Sequence, residues 1–461
     1  MGSEWENVIL RDVTTLRNGA GVKQEYFSES GIPLVRVSDF TMNSIDIQNC
    51  NYVEKQHAKK WETHLLNEKD ILVATVGSWP PNWSSVVGKV IRTPESARGA
   101  IQNQNTCCVV PIKEVLDNDY LYYRLKSEDF SWHTSNNAGG SANQARLPVK
   151  KLGEFTFLLP PLDYQKRIGS SLAILDNKIQ LNRETNQTLE AMAQALFKSW
   201  FVDFDPVFDN IIAHNLAHNN APLHNIPEPL LPHAQRRLNV HNVGRGSARQ
   251  TASQEFHHLF PQAFEQSDEP SVGIQGWVPK GWGVDGLGSF INFSNGKLMK
   301  STVDGLYPLY GANGIIGKTN EIRCSNAIII GRVGAYCGAI KYCPSSFWPS
   351  DNTIVASSTE SEDMLPFILY QLKYLNLNQY AGGAAQPLLN QATLKSIKVS
   401  APSRSACNVF NKTVSEFIIK STNLENEIHV LESLRDTLLP KLISGELRIP
   451  DAEQVSEALA K

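Results

Sequence analysis

Residues 162–201 read LDYQKRIGSSLAILDNKIQLNRETNQTLEAMAQALFKSWF. Within this stretch Leu172, Leu175, Ile179, Asn182, Asn186, Leu189, Ala193, Leu196 and Trp200 recur at alternating three- and four-residue steps. A stripe sustained over several heptads keeps facing one partner helix, which is the requirement of a coiled-coil seam. Pro160-Pro161 sets the helix start, and Asp203-Phe204-Asp205-Pro206 ends it. After Ala401-Pro402 the same spacing returns through Val414, Phe417, Ser421, Leu424, Ile428, Leu431, Arg435, Leu438 and Leu442. Pro440 is expected to break this second helix near its end. Asn182, Asn186, Ser421 and Arg435 put polar groups on the seam, where they cost stability but can fix register and orientation. Helices of this kind are also open to a plainer reading, in which each packs only on its own globular module.

Working outward, the chain says much the same thing twice. Trp5-Glu6-Asn7-Val8-Ile9-Leu10 is echoed by Trp282-Gly283-Val284-Asp285-Gly286-Leu287, and Ile71–Gly77 by Ile328–Gly334. Asn105-Thr106 parallels Asn352-Thr353, Tyr122–Lys126 parallels Leu369–Lys373, and Ala138–Ala142 parallels Ala381–Ala385. Each match alone is weak, but their shared order marks a long internal repeat. Short apolar runs bounded by Gly, Asn, Ser and Pro read as strands: Ile71–Val76, Cys107–Ile112, Phe155–Leu159, Ala327–Ile330 and Thr353–Ala356. One helix per module is expected, at Asp119–Ser127 and Met364–Tyr374. The fold class is therefore α+β, two pseudo-repeated domains each followed by a long helix, with the two helices pairing as an antiparallel coiled coil. The expected divisions are 1–160 for the first domain, 161–204 for the first helix, 205–270 for a connector, 271–401 for the second domain, 402–447 for the second helix and 448–461 for a tail.

A chain of 461 residues is too long for one ordinary core. It is 41% apolar and 19% charged, the balance of a folded soluble protein. No stretch approaches the roughly 20 apolar residues of a membrane span, and Met1-Gly2-Ser3-Glu4-Trp5 has neither the basic segment nor the apolar core of a signal peptide. The seven cysteines include no Cys-x-x-Cys pair, and their odd number argues against a closed disulfide framework, so a cytoplasmic location is expected. A net charge of −3 gives no general support to nucleic-acid binding, so any such reading must rest on local patches. Residues 207–270 hold His214, His218, His224, His233, His241, His257 and His258 at irregular spacing among Asn, Pro and Gln. That composition points to a long, poorly ordered connector rather than to a metal site.

Catalytic signatures are missing. No Gly-rich nucleotide loop is followed by an acidic residue at the required distance. Ala312–Thr319 (ANGIIGKT) approaches a P-loop but lacks its first glycine, and reads instead as a turn presenting Lys318. No positioned nucleophile with its base, and no cofactor or metal site, is apparent in this chain.

Four strings resemble the specificity subunits of Type I restriction–modification systems. They are Leu158-Leu159-Pro160-Pro161-Leu162-Asp163-Tyr164-Gln165-Lys166-Arg167-Ile168, then Gln194–Pro206 (QALFKSWFVDFDP), then Leu259–Phe264 followed by Val278–Trp282, and finally Leu434–Leu447 (LRDTLLPKLISGEL). The likeness spans nearly the whole chain and includes the order of its parts. It implies a non-catalytic DNA-binding subunit in which each domain reads one half of a bipartite double-stranded target. The paired helices would space the domains and dock two modification (methyltransferase) subunits, with restriction subunits completing the complex. It further implies that S-adenosylmethionine, ATP and Mg2+ belong to those partners. A coiled-coil protein–protein scaffold without sequence-specific DNA binding is the alternative.

The span from Leu162 to Trp200 would be roughly 58 Å as a helix, enough to hold two readers at grooves one turn or more apart. Base edges are read by Arg on guanine and by Asn or Gln on adenine, and phosphates by Lys and Arg. Candidates in the first domain are Lys59, Lys60, Arg92, Arg98, Gln144 and Arg146, with Asn103, Gln104 and Asn143 nearby. The second offers Lys297, Lys300, Lys318, Arg332, Gln386 and Asn390, with Asn295 and Asn313. The loops at Gly139-Gly140 and Gly382-Gly383 stand out, because glycine lets backbone approach phosphate.

Overall fold

The computed structural model describes residues 5–41, 43–80, 82, 86–141, 144–219, 221–244, 256–383 and 387–449. The chain forms two compact units, Met1–Arg183 with Asn426–Lys461, and Glu184–Glu425.

In the first unit the strand Ile71–Ala74 serves two cores. Side chains alternate across a strand, so Ile71 and Val73 join Cys107, Val109, Tyr120 and Leu121, while Leu72 and Ala74 join Val35, Ile91 and Cys108. A strand covered on both faces needs an unbroken apolar run, and Ile-Leu-Val-Ala supplies it. The sheet order is Thr14–Asn18, Thr106–Pro111, Ile71–Ala74, Val90–Arg92, all antiparallel. Glu6–Ile9 pairs separately with Thr156–Leu159. The helix Asn118–Leu125 starts on Asp117, whose side chain accepts the Tyr120 N–H.

The second unit repeats this order strand for strand: Ile291–Asn295, Thr353–Ser358, Ala327–Gly331, Ile340–Cys343. Gly283–Gly286 with Lys398–Ala401 reproduces the separate pair, and Leu365–Tyr374 the helix. The echo of Asn105-Thr106 in Asn352-Thr353 is one turn made twice. Thr106 Oγ1 donates to the Asn103 carbonyl at 2.8 Å and Thr353 Oγ1 to the Ser350 carbonyl at 2.6 Å, both buried. A Cβ on Gly19 would lie 2.0 Å from the Asn103 oxygen, and one on Gly296 would lie 2.0 Å from the Ser350 oxygen. Asn18-Gly19 and Asn295-Gly296 are thus further members of the repeat, too short to be noticed as sequence.

The first long helix runs Leu162–Phe201 and the second Arg404–Ser444; each unit holds one part of each helix. In the first unit Asp176 meets Arg435, Asn182 meets Glu427 and Arg183 meets Glu432. In the second, Phe197, Trp200 and Phe201 meet Phe410. Rising numbers on one helix meet falling numbers on the other, so the pair is antiparallel. Of the expected seam, Leu172, Ile179, Leu189, Val414 and Ile428 are buried, and Leu175, Leu196, Phe417, Leu424, Leu431 and Leu438 half-buried. These helices also pack on the modules, so the two readings of the heptads are not exclusive.

Three expectations change. Pro440 does not break the second helix, which continues to Ser444 and closes at Gly445 with φ +76°. Leu442 and Ile443 are buried in the first unit's core, with Leu438 and Leu439 packed against it, and that packing holds the last turn despite the missing N–H. The connector is not featureless: Asp205–Asn219 and Leu231–Gly244 are helices. Phe204, Val207, Phe208, Ile212, Leu230 and Ala234 are buried there, an apolar spacing hidden among His and Asn. Arg237 clamps Asp209 through Nε at 2.8 Å and Nη2 at 2.6 Å, and Arg236 reaches Asp205 at 2.7 Å. Finally, each module has more than the one helix expected: Glu128–Asn137 in the first, on which only Phe130 and Thr134 are buried, and Gln391–Ser396 in the second. Ala142, Asn143, Gln386 and the segment 245–255 lie outside the described residues, as does the side chain of His241.

Candidate nucleic-acid interface

Each module is fastened to a long helix by the same tyrosine of the repeat. Tyr123 donates its hydroxyl to Asp176 at 2.8 Å, and Tyr370 donates to Glu190 at 2.9 Å. Arg435 adds a 2.7 Å bond to Asp176, and Lys373 a 2.6 Å bond to Glu190. Burial works against the Arg435 charge, but the hydrogen bond to Asp176 and a second to Asp436 outweigh it and hold its pKa above the ordinary value. Burial would raise the Glu190 carboxyl, yet Lys373 brings it below the usual carboxylate range. Gln165, buried at the start of the first helix, uses all its groups: Nε2 donates to Val115 and Pro160 carbonyls, and Oε1 accepts the Asp117 N–H. Rigid seating of this kind is what a reader of a fixed target needs.

In the first unit Lys59 and Lys60 are exposed after the strand Asn51–Val53. Lys60 Nζ donates to the Tyr26 hydroxyl at 3.0 Å and lies 4.3 Å from that ring's centre, while Trp61 meets the same ring edge-on. Sequence reasoning overlooked Tyr26 and Trp61, although an aromatic directly after a lysine pair is the signal that could have drawn notice. Arg98 is exposed at a turn. Gln144 and Arg146 project from the glycine hairpin on either side of buried Ala145, and Trp79 Nε1 pins that hairpin through the Ser141 carbonyl at 2.8 Å. Arg92 is placed differently. It pairs with Asp119 at 3.0 Å and stacks 4.1 Å from the Tyr122 ring centre, so its guanidinium is committed inside the module.

In the second unit Lys297, Lys300 and Lys318 are exposed and drawn toward one small sheet. Lys297 N–H donates to Pro349, and Thr302 N–H to the carbonyl of Lys318 at 2.8 Å. Ala312–Thr319 is not a phosphate loop. Tyr307–Gly311 and Gly314–Thr319 are the arms of a β-hairpin turned at Ala312-Asn313, with Gly314 at φ +106°, a turn chemistry that Asn-Gly favours. Arg332 donates Nε to the Leu389 carbonyl at 3.3 Å, and the Asn390 side chain caps the helix Gln391–Ser396 by accepting the Thr393 N–H at 2.8 Å. Both side chains are thus occupied by backbone groups of the segment that follows the glycine loop.

Among the described residues no three His, Cys, Asp or Glu side chains converge as a metal site. Burial pushes the Cys107, Cys108 and Cys407 thiols up to about 12, far from a reactive thiolate. What the surface offers is cations, amides and aromatics on strands, turns and short helical segments, a chemistry of recognition.

Residues 2–191 and 279–433 match the family described as Type I restriction modification DNA specificity domain. The chain is 29% identical over 342 residues to the Type I restriction enzyme HindI specificity subunit of Haemophilus influenzae, covering 66% of this chain and 71% of that protein. It is 26% identical over 351 residues to the Type I restriction enzyme MjaIX specificity subunit of Methanocaldococcus jannaschii, covering 76% and 73%. The crystal structure of a Type-I restriction-modification system S subunit from M. genitalium shares the fold, with a TM-score of 0.56 at 18% identity over 98% of this chain and 97% of that one.

Proposed function

From the premise that this chain belongs to the Type I restriction modification DNA specificity family, we propose that it is the sequence-specific DNA-recognition subunit of a Type I restriction–modification complex. The observation that carries this is the doubled module: one strand order built twice, each copy bonded through an equivalent tyrosine to an antiparallel helix pair. Two similar readers on one scaffold suit a target split into two halves. The helices set the spacing between those halves and dock two modification subunits. In support, Ile174, Val430 and Leu434 of the first unit and Met192 and Ile419 of the second are exposed on these helices, as apolar contact surfaces are. Methyl transfer from S-adenosylmethionine to adenine, and ATP- and Mg2+-dependent cleavage, belong to modification and restriction subunits rather than to this chain. The complex works in the cytoplasm, a placement that suits seven free cysteines. No helix of the described residues is long and apolar enough to cross a membrane.

Co-expression with the modification subunits, followed by mapping of modified adenines on host DNA, tests this directly. A single split motif supports it. Binding with no preferred sequence would instead leave a protein–protein scaffold.

A further inference from the structure

The two modules differ at one edge. In the first unit the strand Asn51–Val53 is covered on its outer side by Phe27–Ser28, in the order Phe27–Ser28, Asn51–Val53, Ile32–Val35, Ile101–Gln102. The second unit has the same parallel pairing, Tyr307–Gly311 with Trp348–Pro349, but its sheet ends at Gly314–Thr319. That edge strand carries Ile315 and Ile316, 63% and 56% exposed. Leu298, Val303, Leu306 and Ile322 are exposed in the flanking segments, and Thr302 N–H ties that loop to the hairpin through Lys318 O. Among the described residues from 5 to 111 of the first unit no large apolar side chain is exposed. Exposed aliphatic groups at this density mark a contact surface.

Its surroundings select the partner. Lys297, Lys300, Lys318 and Arg323 are exposed around the patch, against the acids Asp304 and Glu321, and Arg323 lies 5.9 Å from the Trp348 ring centre. A positive rim around aliphatic groups matches phosphates flanking base edges. The DNA major groove admits a two-stranded β-ribbon, and there the apolar feature of a base pair is the thymine 5-methyl group.

Resting on the DNA-recognition reading above, we propose that the hairpin Tyr307–Thr319 enters the major groove of one half-site, where Ile315 and Ile316 read thymine through its methyl group. Each half-site with a modified adenine holds at least one thymine on the opposite strand, so the contact has a partner.

The test uses the assembled complex with modification subunits and duplexes carrying its mapped target. Thymines of each half-site in turn are replaced by deoxyuridine, which removes the methyl and keeps the pairing. Wild-type complex is expected to lose affinity at one half-site by about fourfold per contacted methyl. A double variant, Ile315→Ser with Ile316→Ser, is expected to bind methylated and methyl-free forms of that half-site equally. Both side chains are exposed, so the core is untouched. Wild-type affinity that is indifferent to deoxyuridine in both half-sites overturns the proposal, as does a variant that keeps the full loss. A complex that selects no sequence at all refutes the recognition reading instead, before any thymine is replaced.

Discussion

Arg435 on the second long helix donates Nη1 to Asp176 on the first at 2.7 Å, and the same carboxylate accepts the Tyr123 hydroxyl at 2.8 Å. One side chain thus joins both helices and the recognition module in the first unit. The Arg435 side chain is 12% exposed, so removing it strands a poorly solvated carboxylate. Arg435→Ala is expected to lower stability by about 2 kcal/mol. Adding Asp176→Ala should cost less than the sum of the single changes, by at least about 0.5 kcal/mol. Urea unfolding of the four proteins of the cycle measures this, and strict additivity would contradict the coupling.

The paired glycines offer a check on the repeat. A methyl at Gly19 or Gly296 would have to displace backbone, since the carbonyls 2.0 Å away belong to Asn103 and Ser350. Gly19→Ala and Gly296→Ala should each destabilise by about 1–3 kcal/mol or more. Hydrogen exchange should place the weakening in the unit that carries the substitution. An alanine tolerated at either site would show the turns to be looser than their geometry.

Acid should loosen the second unit at Glu190. Burial raises its carboxyl, but the bond and charge of Lys373, with the hydrogen bonds from Gln194 and Tyr370, together bring it below the unfolded value. A depressed carboxylate stabilises above its unfolded pKa, about 4.3, and that contribution disappears as pH falls through the folded value. Melting temperature is therefore expected to drop as pH is lowered from about 5, and Glu190→Gln should reduce the drop in that window while lowering stability at neutral pH. A Gln variant with an unaltered acid profile would assign the effect elsewhere.

Surface cations and committed ones should separate in binding assays. Arg146→Ala and Lys318→Ala are expected to weaken DNA binding and to reduce its salt slope by about one each. Arg92→Ala should chiefly cost stability through the lost Asp119 pair and Tyr122 stacking. Asn390→Ala should cost about 1 kcal/mol as a lost cap. Titrations over a salt series, beside thermal melts, distinguish the two groups; a reduced slope for Arg92→Ala would reverse its assignment.

If the helices set the target's spacing, lengthening both by one heptad adds about 10 Å, the rise of roughly three base pairs. The modified motif should then acquire a longer central gap. A variant that assembles and keeps the original gap is incompatible with the helices acting as the spacer.

Much was legible beforehand because it was local and periodic. Seam positions from Leu172 to Leu442 follow burial at 3.5-residue intervals, and Ile71–Ala74 and Ala327–Ile330 announce strands covered on both faces. The candidate surface was less legible. Arg92 and Lys318 are both cations in strands, yet one is held by Asp119 and Tyr122 and the other faces water, a difference set by neighbours distant in the chain. Composition misled at 204–224, where the exposed His214, His218 and His224 concealed the buried row of Phe204, Val207, Phe208 and Ile212. At Pro440 a local rule was overruled by packing on both sides of it.

The order of side chains alone determined that two similar α+β modules alternate with two heptad helices, since hydrophobic period and repetition are properties of the chain itself. Only the tertiary structure decided which polar groups those modules keep for themselves, that Asp176 and Glu190 receive equivalent tyrosines, and that one hairpin edge is covered by a strand while its counterpart meets a loop at Thr302. Such outcomes depend on which surfaces meet when the strands pair, and a contact between residues far apart in the chain leaves no mark on either neighbourhood.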